Sequence, residues 1–170
     1  MYSAVNRAAH TLSFVFALLG GFVLILLTLL TVASVSGRAL IPFGLGPVPG
    51  DFELVEAGVA FAIFTFLPWC QLNRGHASVE ILTQFLPTRI NQVLDVTIEL
   101  LMFGVAVLLF RQHYLGTLDK TRYGETTFIL QFPLWWAYAA SLAGALVFVL
   151  IAGFCLLRSL RQMVRSEAPA

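Results

Sequence analysis

Four carboxylates stand inside otherwise apolar stretches of the chain, Glu53 and Glu56 in one and Asp95 and Glu99 in another. If those stretches cross a membrane, a charge at mid-depth costs about 2.5–3.5 kcal/mol on insertion scales, so each carboxylate needs a partner or a task. Glu53 and Glu56 lie in the first turns of their stretch, on the side where Arg38 leaves the preceding one. An ion pair between Arg38 and either glutamate is geometrically natural. Asp95 and Glu99 are one helical turn apart on one face, and Arg74 leaves the preceding stretch on that same side. In the plain reading these six residues form structural ion pairs that fix helix packing near the membrane surfaces. In the sharper reading Glu99 or Glu56 faces a partner subunit or an ion path.

Other reactive side chains offer less. His76 and Glu80, at i and i+4, share a helix face, but two ligands are too few for a dedicated metal site. His10, His76 and His113 fall at the ends of apolar stretches or between them, so no pair within one stretch could hold a haem from both sides. That weighs against one alternative, the membrane anchor of a redox complex. A second alternative is a stand-alone channel or exporter that acts without partners. Cys70 and Cys155 are far apart in apolar surroundings and read as small buried hydrophobes. The sequence contains no HExxH, Gly-rich phosphate loop or nucleophile motif. No catalytic, substrate-binding or metal-ligating residue is therefore assigned, and enzymatic activity is not expected.

The elements that must position these residues follow from hydropathy. Of 170 residues, 59% are hydrophobic and 11% charged, about half the charge content of an average soluble protein. This is the composition of an integral membrane protein. The net charge of +1, with no clustered Lys and Arg, gives nucleic acid no binding surface. Residues 12–35 run without a charge, about 36 Å as a helix and enough to cross a hydrocarbon core of about 30 Å. They form the first span. A cleaved signal peptide is the rival, but its apolar region should be only about 7–15 residues long. Residues 36–50, dense in Gly and Pro, form a structured turn, and Asp51 is placed to cap the next helix. The second span covers about 52–72, with Pro68 near its end. The third covers about 90–110, closed by Arg111, and residues 112–131 read as a polar connection. Pro133 opens the fourth, about 132–157. Trp69, Trp135, Trp136 and Tyr138 suit an aromatic belt at the membrane surfaces.

Between spans two and three lies an amphipathic helix over about 76–86. His76, Glu80, Thr83 and Gln84 fall in one arc, and Val79, Ile81, Leu82, Phe85 and Leu86 in the other. Pro87 stops it. Its apolar face belongs at a membrane surface or against neighbouring helices. The fold class is thus all-α, four transmembrane helices plus an interfacial helix in a single membrane domain. Four spans put both termini on one side. Arg7, Arg74, Arg89, Arg158, Arg161 and Arg165 lie on that side, against Arg38, Arg111, Lys120 and Arg122 on the other. This excess places both termini in the cytoplasm. In span four Ala139, Ala140, Ala143 and Gly144 have small-xxx-small spacing, which permits close approach of another helix from the same chain or from a partner.

These elements and their local motifs, in this order, resemble a known family. The features are Arg38 after span one, then Pro49-Gly50 with Glu53 before span two, and Pro68 followed by Arg74-Gly75-His76 and Val79-Glu80. Pro87 comes next, then Gly124-Glu125-Thr126-Thr127 leading into Leu130, Pro133, Leu134, Trp135, Trp136 and Tyr138. The set is similar to the small membrane subunit of tripartite ATP-independent periplasmic (TRAP) transporters, the DctQ-like family, over about residues 12–157. The resemblance implies a non-catalytic subunit in a bacterial inner membrane, scaffolding a large membrane subunit. That partner would carry the substrate and sodium sites and take organic acids from a periplasmic binding protein. This chain itself would need no cofactor, and membrane lipids would be its other neighbours. The interfacial helix, with Arg74, His76, Val79, Glu80, Leu82 and Phe85, would serve anchoring or assembly.

Overall fold

The computed structural model of the chain describes residues 2–73 and 88–165. It contains four helices: α1 (Tyr2–Ala39), α2 (Asp51–Leu72), α3 (Thr88–Tyr123) and α4 (Leu134–Arg165). All four are long and apolar enough to cross a membrane, and among the described residues there is no strand, only one isolated bridge between Thr126 and Pro133. The protein is an all-α, multi-pass membrane protein. The segment expected as an interfacial helix, 76–86, lies outside the described residues, as does Arg74.

Helix ends follow backbone chemistry more closely than hydropathy. α1 begins ten residues before the apolar run expected from 12 onward, because Arg7, Ala8 and Ala9 are good helix formers and nothing breaks the chain there. Arg111 does not close the third helix. Arg is itself a strong helix former, and the chain stays helical to Tyr123, where Gly124 turns to φ 61°. Thr117 and Thr121 send their hydroxyls back to the carbonyls of His113 and Thr117, both at 2.8 Å, so these polar side chains are satisfied within the helix. The polar connection is therefore confined to residues 124–133. At the start of α2, Gly50 occupies the cap position at φ 73°, and Asp51 is already inside the helix, not capping it. Only a glycine serves there: a Cβ would also lie 2.4 Å from Leu130 Cγ.

The helices do not close into a four-helix bundle. α1 packs on α2, α2 on α4, and α4 on α3, while α1 and α4 barely touch. α2 and α3 meet through long side chains reaching past α4. The result is a row in the order α1, α2, α4, α3. Its central member, α4, contributes most of the core: Phe148, at 1% exposure, packs with Ala106 and Ala152, and Val147, Ile151 and Cys155 pack with Ala9 and Leu72. The outer helices present whole apolar stripes outward, such as Phe22, Ile25, Leu29 and Val32 on α1.

The α2–α4 contact depends on two residues that disturb helices elsewhere. Pro68 lies inside α2 and lacks the N–H that would have bonded the Phe64 carbonyl. α4 covers that carbonyl at Gly144, where a Cβ would stand 2.8 Å from Phe64 O. Hydrogen on the glycine allows a close backbone approach with a weak C–H···O contact. Thus one member of the small-residue set is used within the chain, whereas Ala140 and Ala143 stay exposed. Gly144→Val should cost about 1–3 kcal/mol or more, since the obstacle is backbone. A clear drop in the thermal midpoint of the detergent-solubilised protein would be the readout, and an unchanged midpoint would contradict this packing.

Candidate functional site

One end of the row gathers most of the conspicuous residues. Glu53 does not pair with Arg38. Its two oxygens accept backbone N–H groups of Ile129 at 2.6 Å and Leu130 at 2.9 Å, and the Phe128 N–H and Thr127 hydroxyl also turn to it. The 127–130 backbone is curled around the carboxylate because successive amides in such a turn point inward and form a nest for an anion. Thr127 Oγ1 in turn accepts the Phe132 N–H at 3.2 Å. Thr127 N–H to Phe132 O and Leu134 N–H to Glu125 O, both 3.0 Å, complete a tight hairpin-like connection. Lys120 closes its base with a 2.6 Å ion pair to Glu125.

Arg38 acts instead on Asp51, the acidic residue nearest its end of α1. The Ser34 hydroxyl donates to Asp51 and accepts the Val48 N–H at 3.2 Å, while the Phe52 N–H donates to Asp51 at 2.8 Å. Ser34 is fully buried, so this hydroxyl, which carries no signal in hydropathy, ties the 40–50 connection to the start of α2. Among the described residues no hydrogen bond or ion pair reaches Glu56.

Below this clamp is a cavity of about 190 Å³ between α2, α3 and α4, lined by Glu53, Glu56, His113, Thr127, Tyr138 and Ser141. His113 Nε2 donates to the Tyr138 carbonyl at 3.0 Å. Its ring stacks on Tyr138, with centroids 5.3 Å apart, and meets Phe64 of α2 at 4.7 Å. Tyr138 is therefore half-buried against α3. Trp135 and Trp136, edge to face at 6.0 Å, remain exposed.

At the opposite end, Glu99 is only 6% exposed and accepts a 2.7 Å hydrogen bond from Gln71 Nε2. Cys155 Sγ lies 3.9 Å from the Gln71 carbonyl, and Leu72, Arg158 and Ser159 complete the surroundings. Gln71, not anticipated as a site residue, is thus the hinge of this cluster. A lone amide near the end of an apolar stretch was its available signal. Asp95 sits half-buried one turn before Glu99. Trp69 packs on His10 and Phe14 of α1, with centroids 6.4 and 5.6 Å away. His76, Val79, Glu80, Leu82 and Phe85 lie outside the described residues.

The two motifs flanking Glu53 and Thr127, far apart in the chain, meet in the clamp. Residues 27–165, well over half of the chain, match the family model described as tripartite ATP-independent periplasmic transporters, DctQ component. The chain belongs to the DctQ family. A comparison with individual curated proteins found no match. The match takes in the Glu53 clamp and the Gln71–Glu99 bond, and it makes this DctQ protein a small membrane subunit of a TRAP transporter.

Proposed function

We propose that this DctQ subunit is a non-catalytic scaffold for the large TRAP membrane subunit, in sodium-driven uptake of organic acids delivered by a periplasmic binding protein. The observation that carries the reading is the open row. A helix layer whose outer members bury so little of their apolar surface against one another leaves broad faces for another membrane protein and for lipid. Rigidity is the other requirement of a scaffold, and both ends of the row are fastened, by Glu53 on the 124–133 connection and by Gln71 on Glu99. The substrate and sodium sites belong to the partner, and the roles of Arg74, His76 and Glu80 are anchoring and assembly. With both termini in the cytoplasm of a bacterial inner membrane, the Glu53 clamp faces the periplasm, where the binding protein would dock.

Co-purification tests the proposal. The tagged chain, extracted in mild detergent from its native host, should carry a large multispanning permease in stoichiometric amount, identified by mass spectrometry. Recovery alone, or with redox subunits, would overturn the scaffold role.

A further inference from the structure

The cavity below Glu56 is chemically one-sided. Glu53 is occupied by the Ile129 and Leu130 amides, the Ser141 hydroxyl is donated to Ala137 O at 2.8 Å, and His113 spends its Nε2–H on Tyr138 O. What remains toward the cavity is mostly acceptor capacity: the Glu56 carboxylate, the Ser141 lone pairs and His113 Nδ1, unprotonated in the neutral ring. A guest that fits must be positive and donate several hydrogen bonds. A primary ammonium, with three N–H groups, does so. A quaternary ammonium has charge but no donor, and a bare cation would find one free carboxylate where a metal needs several oxygen ligands.

On the other side of Ala57 and Ala137 lies a second, larger hollow of about 530 Å³, lined by Leu27, Leu30, Phe61, Trp136 and Ala140. It exists because α1 and α4 both pack on α2 and barely touch each other. Ala57, Ala137 and Phe132 line both spaces, so the apolar hollow and the acidic cavity adjoin. Its lining runs along α1 from Val23 to Leu30, about 10 Å of helix. All the side chains that line it are apolar or aromatic, and extended hydrocarbon can lie along it. Glu56 stands about 7.5 Å in from the start of α2, and exposed Trp136 at the groove suits the same boundary between head groups and acyl chains.

We propose that Glu56 and its cavity bind the primary-ammonium head group of a phospholipid whose acyl chain lies in the groove between α1 and α4. The site lies within this one chain and does not depend on the scaffold reading.

Native mass spectrometry of the full-length protein, with any co-purifying subunits, tests this. Phosphatidylethanolamine, phosphatidylcholine and phosphatidylglycerol of identical acyl chains would be added to delipidated samples. The wild type should retain phosphatidylethanolamine over the other two, and Glu56→Gln should weaken it about tenfold, the expected effect of losing a charged hydrogen-bond acceptor. Ala140→Phe, filling the groove, should lower retention of the lipid while free ethanolamine still fails to compete at millimolar concentration. Equal retention of the three lipids by the wild type would overturn the proposal, with no variant needed. So would competition by free ethanolamine alone, or a Glu56→Gln protein that keeps its lipid preference but loses a partner subunit, which would mean that a partner's lysine or arginine is the true guest.

Discussion

Replacing Glu53 with alanine is expected to release the 124–133 connection from α2 and to abolish most assembly of this subunit into its transporter. The carboxylate is the one object around which the Thr127–Leu130 backbone is wrapped. Without it, converging N–H groups face each other at the membrane surface, and the turn loses its reason to close. Leu130 would then lift from Gly50, exposing the start of α2. Glu53→Gln is the informative control, since one amide oxygen can still accept a backbone N–H but its NH₂ group opposes the second. The order of assembled complex should be wild type, then Gln, then Ala, with Gln well below wild type. Yield of the complex on size-exclusion chromatography and protease nicking within 124–133 would both report it. An alanine variant with wild-type yield and an uncleaved connection would show that the clamp is incidental.

Gln71→Leu is expected to be the most destabilising change at the other end. Leucine is nearly the volume of glutamine, so packing is preserved and the loss is electrostatic. Glu99, buried at 6% exposure, would lose the amide that now donates to it at 2.7 Å. Removing such a donor from a buried carboxylate costs about 1.5–3 kcal/mol, for which a fall of roughly 5–10 °C in thermal midpoint is expected. The double change Gln71→Leu with Glu99→Leu removes both polar groups together and should recover much of the loss. If the single and double variants melt together, the bond contributes little and Glu99 is held by other means.

Much of this is legible in the chain itself, and the gaps share a cause. Apolar runs located all four helices, yet hydropathy measures preference for lipid, not for helix, so it stopped α3 at Arg111 although the helix runs to Tyr123. Charges invite pairing with charges, so the sequence points Arg38 to Glu53 or Glu56. The donors it found are main-chain amides, which every residue has and which become a site only once the turn has formed. Tyr138 was grouped with Trp135 and Trp136 by type and position, but its helical phase turns it onto His113. The motifs around Glu53 and around Thr127 were both visible, and nothing in either indicates that they touch. Which helix neighbours which is written in small details such as Gly144 facing the Phe64 carbonyl, too sparse to single out from one sequence.

The order of the row sets a schedule for making the protein. α1 and α2 adjoin in both chain and space, so they can pair as soon as both have left the ribosome. α3 emerges next and meets α2 only through side chains such as Gln71 on Glu99, because the helix it leans on most, α4, follows the other three. Until then α3 is held to the α1–α2 hairpin only by such side-chain contacts, and Gly144 has yet to cover the carbonyl that Pro68 left open. α4 is thus inserted as a wedge between two earlier helices, and a chain cut short before residue 134 lacks the element that packs along both α2 and α3.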